Sequence, residues 1–429
     1  MIGFWLFVAI IGLLAIGVPV TFALATAGAL GIYLAGFLDN PAIVTQQLLT
    51  GINKPALMAI PFFIFAGSVM TGTGLSSRIF SAAHSVVGHL RGGLAQVNVV
   101  SSFMFAGISG SSVADIAGIG RLSVTEMVRR GYPLPFSAGL TVVTSILGPL
   151  VPPSITLIIY AWLANESVAR MFLAGAVPGV LLGLCFMIYV AYVSIRRGYP
   201  TEARQSIAII LKTLLTSLPA LLVPVFILLA MVFGIATATE AGVLASAYAI
   251  VLGLFYKTVN WAMLRDALVE TILVTSLVMM IIGFSQVLNW TLSIEQIPQA
   301  LADLVFQYVQ SRGAFMIVLI VFLLIVGCFL DVTAAMILLV PLLLPLADQY
   351  DIDRIQFGIV LSLSLLAGIA TPPMGIGLYV MCGLKKIRLE TLSLAVLPML
   401  IPVVVALLVI AFVPQVTMLL PDLVMPTNR

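Results

Sequence analysis

The chain has 429 residues, 62% hydrophobic and 8% charged, with a formal charge of +3 and a mean hydropathy of +1.23. A soluble domain carries about a quarter charged residues, so this composition excludes a water-soluble globular fold and makes the bilayer the solvent. The apolar stretches are continuous and of spanning length, which excludes a β-barrel with its alternating strands and predicts an all-α polytopic membrane protein.

In chain order, the first apolar run, MIGFWLFVAIIGLLAIG, has no Lys or Arg ahead of it. It lacks the basic start of a signal peptide and reads as a retained span. Spans are predicted at about 2–17, 19–36, 55–74, 136–164, 168–195, 213–236, 240–256, 268–292, 354–384 and 397–420. The first pair also reads as one long tilted helix broken near Gly17 and Pro19. The polar connector 78–90 reads as an interfacial arm or a plain surface helix. His84 and His89 in it are off one another's helical face, so metal binding is not expected. Cys185, Cys328 and Cys382 lie far apart in apolar runs and read as buried small hydrophobes.

Two apolar regions behave differently. Region 92–128 lies between Arg78/Arg91 and Arg129/Arg130, and region 313–347 is followed by Asp348, Asp351 and Asp353. The positive-inside rule places the basic connectors, including Arg196/Arg197, Lys257/Arg265 and Lys385/Lys386, in the cytoplasm. Each region must then enter and leave on one side, as a re-entrant helical hairpin, the first from the cytoplasm and the second from outside. Both termini fall outside. The tip of the first hairpin is GISGSSVADIAGIG (107–120), and that of the second is VGCFLDVTAAM (326–336). Mid-membrane tips are tolerated only where protein or water covers the freed backbone.

An offset of 220 residues aligns the halves without gaps from about 91 to 162. Gly93 falls on Gly313, Gly107 on Gly327, Ser111 on Asp331, Gly148 on Gly368 and Pro152-Pro153 on Pro372-Pro373. The surviving identities are residues that break helices. With the hairpins opening to opposite faces, the copies are inverted, and inverted repeats with paired broken helices point to a secondary transporter whose site lies at the midplane.

The stretches LGPLVPPSITLIIY (147–160) and AGIATPPMGIGLYV (367–380) interrupt their spans with Gly and a Pro pair. Proline removes a donor and clashes with the preceding turn, leaving carbonyls unpaired. A partly dehydrated Na⁺ is one suitable partner for them, and half-helix starts present N–H groups to an anion. Two cation sites are therefore expected. One joins Ser109, Ser111 and Ser112 to Gly148, Pro149 and Pro152. The other joins Asp331 and Thr333 to Ala370, Thr371 and Pro372. Pro153, Ser154, Pro373 and Gly375 join Ser111, Asp115 and Arg121 as candidates for binding or gating the substrate. A carboxylate in mid-span needs compensation. For Asp115 the choices are ion ligation, pairing with Arg121, or protonation; for Asp331, at the tip, they are ligation or gating. Glu240 in TATEAG has either a functional role or that of a plain helix N-terminal acid.

GISGSSVADIAGIG, PPSITLIIYA and GIATPPMGIGLYV resemble the large membrane subunit of TRAP transporters, the tripartite ATP-independent periplasmic transporters, over essentially the whole chain. The resemblance implies an elevator-type fold in the bacterial inner membrane. In it, a mobile domain holding both hairpins and both broken helices (92–164 and 313–388) slides against scaffold, arm and connecting helices (1–91, 165–312 and 389–429). It also implies two or more Na⁺ driving uptake of an organic acid of the sialic acid or C4-dicarboxylate kind. A periplasmic binding protein delivers the substrate. A small four-helix membrane subunit pairs with the scaffold and is expected as a separate chain, since no four-helix segment precedes this one.

The sequence has no GxxxxGK[ST] phosphate loop, so the energy is expected to come from an ion gradient. A stand-alone sodium–dicarboxylate symporter is the alternative within the same class. An intramembrane enzyme is the alternative outside it; against that reading, the chain has no Gly-x-Gly-Asp motif, metal-ligand cluster or Ser–His pair. Neither an organic cofactor nor a nucleic-acid partner is expected.

Overall fold

The computed structural model describes residues 2–37 and 42–426, and their regular structure is helical throughout. The first half comprises α1 (Ile2–Ala15), α2 (Val20–Leu34), α3 (Ala42–Ile52), α4 (Ala59–Gly72), α5 (Leu75–Val87), α6 (Gly93–Ser109), α7 (Ser112–Asp115), α8 (Arg121–Arg129), α9 (Leu134–Thr144), α10 (Ile155–Ala164) and α11 (Val168–Arg197). The second comprises α12 (Ile207–Val232), α13 (Ala238–Phe255), α14 (Trp261–Ile294), α15 (Ile297–Tyr308), α16 (Arg312–Phe329), α17 (Val332–Gln349), α18 (Arg354–Ile369), α19 (Ile376–Lys385), α20 (Leu389–Val396), α21 (Ile401–Phe412) and α22 (Gln415–Val424). Among the described residues, 8 helical segments are long and apolar enough to cross a membrane. The chain is a multi-pass membrane protein. Met1 and 427–429, expected outside by the charge rule, lie beyond the described residues.

The 220-residue offset extends well past the segment in which it shows in sequence. It carries α1 onto α12, α2 onto α13, α3 and α4 onto α14, and α5 onto α15. It also carries α6 onto α16, α7–α8 onto α17, α9 onto α18, α10 onto α19, and α11 onto α20–α21. The halves embrace reciprocally: α10 packs on α17 and α18, while α19 packs on α7, α9 and the turn after α7. Mutual exchange of equivalent elements is what a two-fold relation between copies produces.

Of the predicted spans, 55–74, 168–195, 213–236, 240–256, 268–292 and 397–420 correspond to helices of spanning length, whereas 2–17, 19–36, 136–164 and 354–384 hold shorter ones, and both arms of the second expected hairpin, Arg312–Phe329 and Val332–Gln349, are themselves long and apolar enough to cross. Residues 2–34 form two helices that pack on each other, separated at Gly17 (φ 84°) and Pro19, rather than one long helix. The predicted span 397–420 instead starts at α20, continues through a 3₁₀ turn (Leu397–Leu400) into α21, and ends before a separate α22. The short helices α3 and α15 lie outside the predicted spans, and α22 starts inside the last of them as a separate element. The 78–90 connector is α5, whose Leu75, Ile79, Ala83 and Val87 are buried on one face, the i, i+4 stripe of an amphipathic helix.

Two groups of helices pack among themselves. One holds α1–α4 with α12–α14; the other holds the hairpins with α9–α11 and α18–α22. Between the groups, α4 packs on α6 and α14 on α17. The base of the first hairpin is tied down by Tyr132, whose hydroxyl donates to the Gly92 carbonyl at 2.8 Å. Nearby, Glu202 accepts from His84 Nε2 at 2.5 Å and pairs with Arg130 at 3.1 Å, joining α5 to the loop after α8.

Candidate functional site

The first hairpin is α6 running up and α7–α8 running back. Helix α6 stops because Gly110 takes a left-handed conformation (φ 57°), which costs glycine nothing. Ser111 is extended and caps α7, its Oγ accepting from the Ala114 N–H at 3.4 Å. The helix resumes through a π-turn, Ile116–Gly120, into α8.

The tip rests on the first break. A Cβ added to Gly110 would lie 3.0 Å from the Pro153 carbonyl oxygen, and one on Gly148 3.1 Å from the Ser111 carbonyl. The tip at Gly110–Ser111 thus lies against Gly148 and Pro153. Within the break, the Ser154 hydroxyl donates to the Pro149 carbonyl, and the Leu157 N–H donates to Ser154 Oγ at 3.2 Å. The Pro149 oxygen is therefore already engaged. Pro152, Pro153 and Ser154 are buried, and the Pro152-Pro153 peptide is cis.

The second module has the same frame and a different finish. Helix α16 ends at an extended Leu330. Asp331 caps α17, its Oδ1 accepting from the Thr333 N–H at 2.9 Å. A Cβ on Gly368 would meet the Gly327 carbonyl carbon at 2.1 Å, so the hairpin meets its break through glycine on both sides, one turn before the tip. Beyond it the chain unwinds over 370–375. Ala370 N–H donates to the Ala367 carbonyl at 3.1 Å, and Gly375 N–H to the Thr371 carbonyl at 3.2 Å. The Thr371 hydroxyl donates to the Ala367 carbonyl at 2.7 Å, and Pro372-Pro373 is cis. Asp331, Pro373 and Met374 are exposed, and Thr333, Thr371 and Pro372 are half-buried. The side-chain hydrogen bond of Asp331 stays within its own turn.

Asp115 lies where α7 meets the π-turn, fully buried, with neither carboxylate oxygen in a hydrogen bond. Ser102 of α6 sits beside it. Arg121 does not compensate it. That side chain is exposed and forms no ion pair with Asp115 among the described residues; the Arg121 carbonyl instead accepts from Lys385 Nζ at 3.1 Å. An uncompensated carboxylate at the centre of a span costs about 2.5–3.5 kcal/mol on insertion scales. Glu240 is exposed and closes a capping box with Thr237, accepting from the Thr237 N–H at 2.7 Å. Its geometry is that of a helix N-terminal acid.

A cavity of about 890 Å³ opens between the first tip and the other helix group, lined by Ser109, Ser111, Val113, Ser68, Thr71 and Glu270 among others. Ser68 donates to Glu270 at 2.5 Å. Sequence reasoning missed this wall. Its signal was present but weak: Ser68 and Thr71 recur at i, i+3 in an otherwise apolar helix.

Residues 7–416 match the family model described as "Tripartite ATP-independent periplasmic transporter, DctM component". The sialic acid TRAP transporter large permease protein SiaM of Vibrio cholerae is 38% identical, over 96% of this chain and 97% of that protein. The C4-dicarboxylate TRAP transporter large permease protein DctM of Pseudomonas aeruginosa is 35% identical, over 93% and 94%. In fold, the chain is similar to the YdaH transporter of Alcanivorax borkumensis, with a TM-score of 0.66 at 13% identity over 87% of this chain and 88% of that one. The chain belongs to the tripartite ATP-independent periplasmic transporter family, as its DctM component, the large permease.

Proposed function

We propose that this permease imports a small organic acid across the bacterial inner membrane, driven by two or more Na⁺, by an elevator movement of the hairpin group against α1–α4 and α12–α14. The observation that carries this reading is the repeat, in which each half lays its hairpin against its own proline break. Backbone freed from a helix in lipid needs partners, and Na⁺ ligated by carbonyls and hydroxyls supplies them. The first site uses Ser109, Ser111, Ser112, Gly148 and Pro152. The second uses Asp331, Thr333, Ala370, Thr371 and Pro372. The starts of α10 and α19 offer N–H groups to a carboxylate, next to Ser154 and Gly375.

Relatives named for sialic acid and C4-dicarboxylates support a carboxylate as cargo. A periplasmic binding protein delivers it, and a separate four-helix membrane subunit braces the scaffold. The cavity beside the first tip reaches Asn260 and Asp266, close to the basic connector Lys257/Arg265; by charge that is the cytoplasmic side, and the cavity serves as the exit. An Na⁺ moving down 100 mV contributes about 2.3 kcal/mol, so two ions suffice to concentrate an anion.

The test is uptake into proteoliposomes with the membrane partner and binding protein present. Replacing Na⁺ by choline is expected to abolish uptake, and unchanged uptake would refute sodium coupling. Uptake that persists without any binding protein would favour a stand-alone symporter.

A further inference from the structure

We propose that Asp115 centres a third cation site, for a small monovalent ion, separate from the two repeated sites; the inference rests on the sodium-coupled reading. Asp115 is 0% exposed, and both of its carboxylate oxygens and the buried Ser112 hydroxyl lack hydrogen-bond partners. Beside it begins a buried polar ladder between α6 and α9. Ser102 meets Thr144 at 3.3 Å, Thr144 reaches Asn98 Oδ1 at 3.5 Å, and Asn98 Nδ2 donates to Thr141 Oγ1 at 2.7 Å. The spacings i, i+4 on α6 and i, i+3 on α9 hold these groups on facing sides.

The arrangement is short of positive charge. Ser102 can accept from Thr144 and turn its own proton to Asp115, but one neutral hydroxyl does not balance a buried carboxylate charge. No Lys, Arg or His pairs with Asp115 among the described residues. A hard cation takes oxygen ligands, and two carboxylate oxygens with the Ser112 and Ser102 hydroxyls supply them. One carboxylate, with no cluster of three His, Cys, Asp or Glu side chains among the described residues, suits a single charge. An organic acid, of like charge, is not accommodated beside a carboxylate that is fully buried.

The repeat shows that this site is additional. At the offset that superposes the halves, Asn98, Ser102, Ser112, Asp115 and Thr141 become Val318, Phe322, Val332, Ala335 and Leu361. Only Thr144 keeps a hydroxyl, as Ser364. The tip and break sites recur in both halves, but the Asp115 pocket occurs once. It therefore accounts for one ion beyond the symmetric pair.

The experiment is equilibrium binding of radioactive Na⁺ to the purified permease with its membrane partner. Wild type is expected to bind three ions and Asp115→Asn two. The double variant Ser102→Ala/Thr144→Val retains the charge and is expected to bind three ions, one of them about tenfold more weakly. Equal stoichiometry in wild type and Asp115→Asn, or unaltered affinity in the double variant, would overturn the proposal while leaving two-ion coupling standing. Absence of Na⁺ binding to wild type would overturn both readings.

Discussion

The two hairpin–break modules share one backbone plan and differ in how it is closed. In the first, Ser109, Gly110 and Ser112 of the tip and Pro152–Ser154 of the break are buried although Val113 is exposed, the break's own hydroxyl Ser154 donates to the Pro149 carbonyl, and Ser111 closes the turn. In the second, the glycines Gly327 and Gly368 touch, yet the tip and Pro373–Met374 stay exposed, with Asp331 at the apex. Backbone breaks recur because helix-breaking residues recur. The chemistry of closure does not, because it depends on side chains that the repeat does not preserve. The first module is finished by protein groups and the second is left for a ligand or a partner surface to finish.

That contrast can be broken most forcefully at the glycines. Gly368→Ala puts a methyl 2.1 Å from backbone that cannot swing away, so a loss of about 3 kcal/mol is expected, at the upper end for overpacking. Gly148→Ala meets backbone at 3.1 Å and is expected to cost about 1 kcal/mol. Thermal unfolding in detergent compares them, and equal losses would mean that the two hairpins approach their breaks equally closely. Next in size is Ser154→Ala, which strips the Pro149 carbonyl of its donor and α10 of its cap. A loss of about 2 kcal/mol is expected, with no counterpart in Met374→Ala at the matching position.

Asp331 separates two roles. Asp331→Ala is expected to cost about 1 kcal/mol through loss of the α17 cap, whereas Asp331→Asn keeps the cap and restores stability. If the charge ligates Na⁺, both variants raise the sodium concentration needed for half-maximal uptake. If only Asp331→Ala does so, the residue is a cap and nothing more.

The smallest effect lies outside the membrane, at Glu166 in the loop after α10. Burial, with Asp353 next, raises its carboxyl above 4.5. A raised carboxyl contributes stability that is present below about 4.5 and is lost as pH rises through its folded value. Glu166→Gln is therefore expected to melt slightly higher than wild type at pH 7 and to match it below pH 4. A difference that persists in acid would point to packing instead of charge.

The sequence made the backbone plan legible through Gly110, Gly148, Gly368 and the proline pairs, since few other residues tolerate or force such breaks. It also singled out the Ser109–Ser112 run beside the first break. It hid what single hydroxyls do inside apolar helices: nothing in sequence singles out Ser102, Thr144 or Ser68 until their neighbours are known. Helices α3 and α15 escaped because a search for spanning lengths passes over short amphipathic segments. The choice between partners for Asp115 was open in sequence, because Arg121 lies six residues on; in the fold that side chain turns outward.

The most direct measurement is amide hydrogen exchange at 109–115, 148–155, 329–335 and 369–376 in Na⁺ and in choline. Sodium is expected to slow exchange in both modules, more strongly in the open second one, since ion ligation there orders backbone that the protein leaves exposed. Exchange that is indifferent to sodium, or slowed at one module alone, would contradict a pair of ion sites built from the repeated tips and breaks.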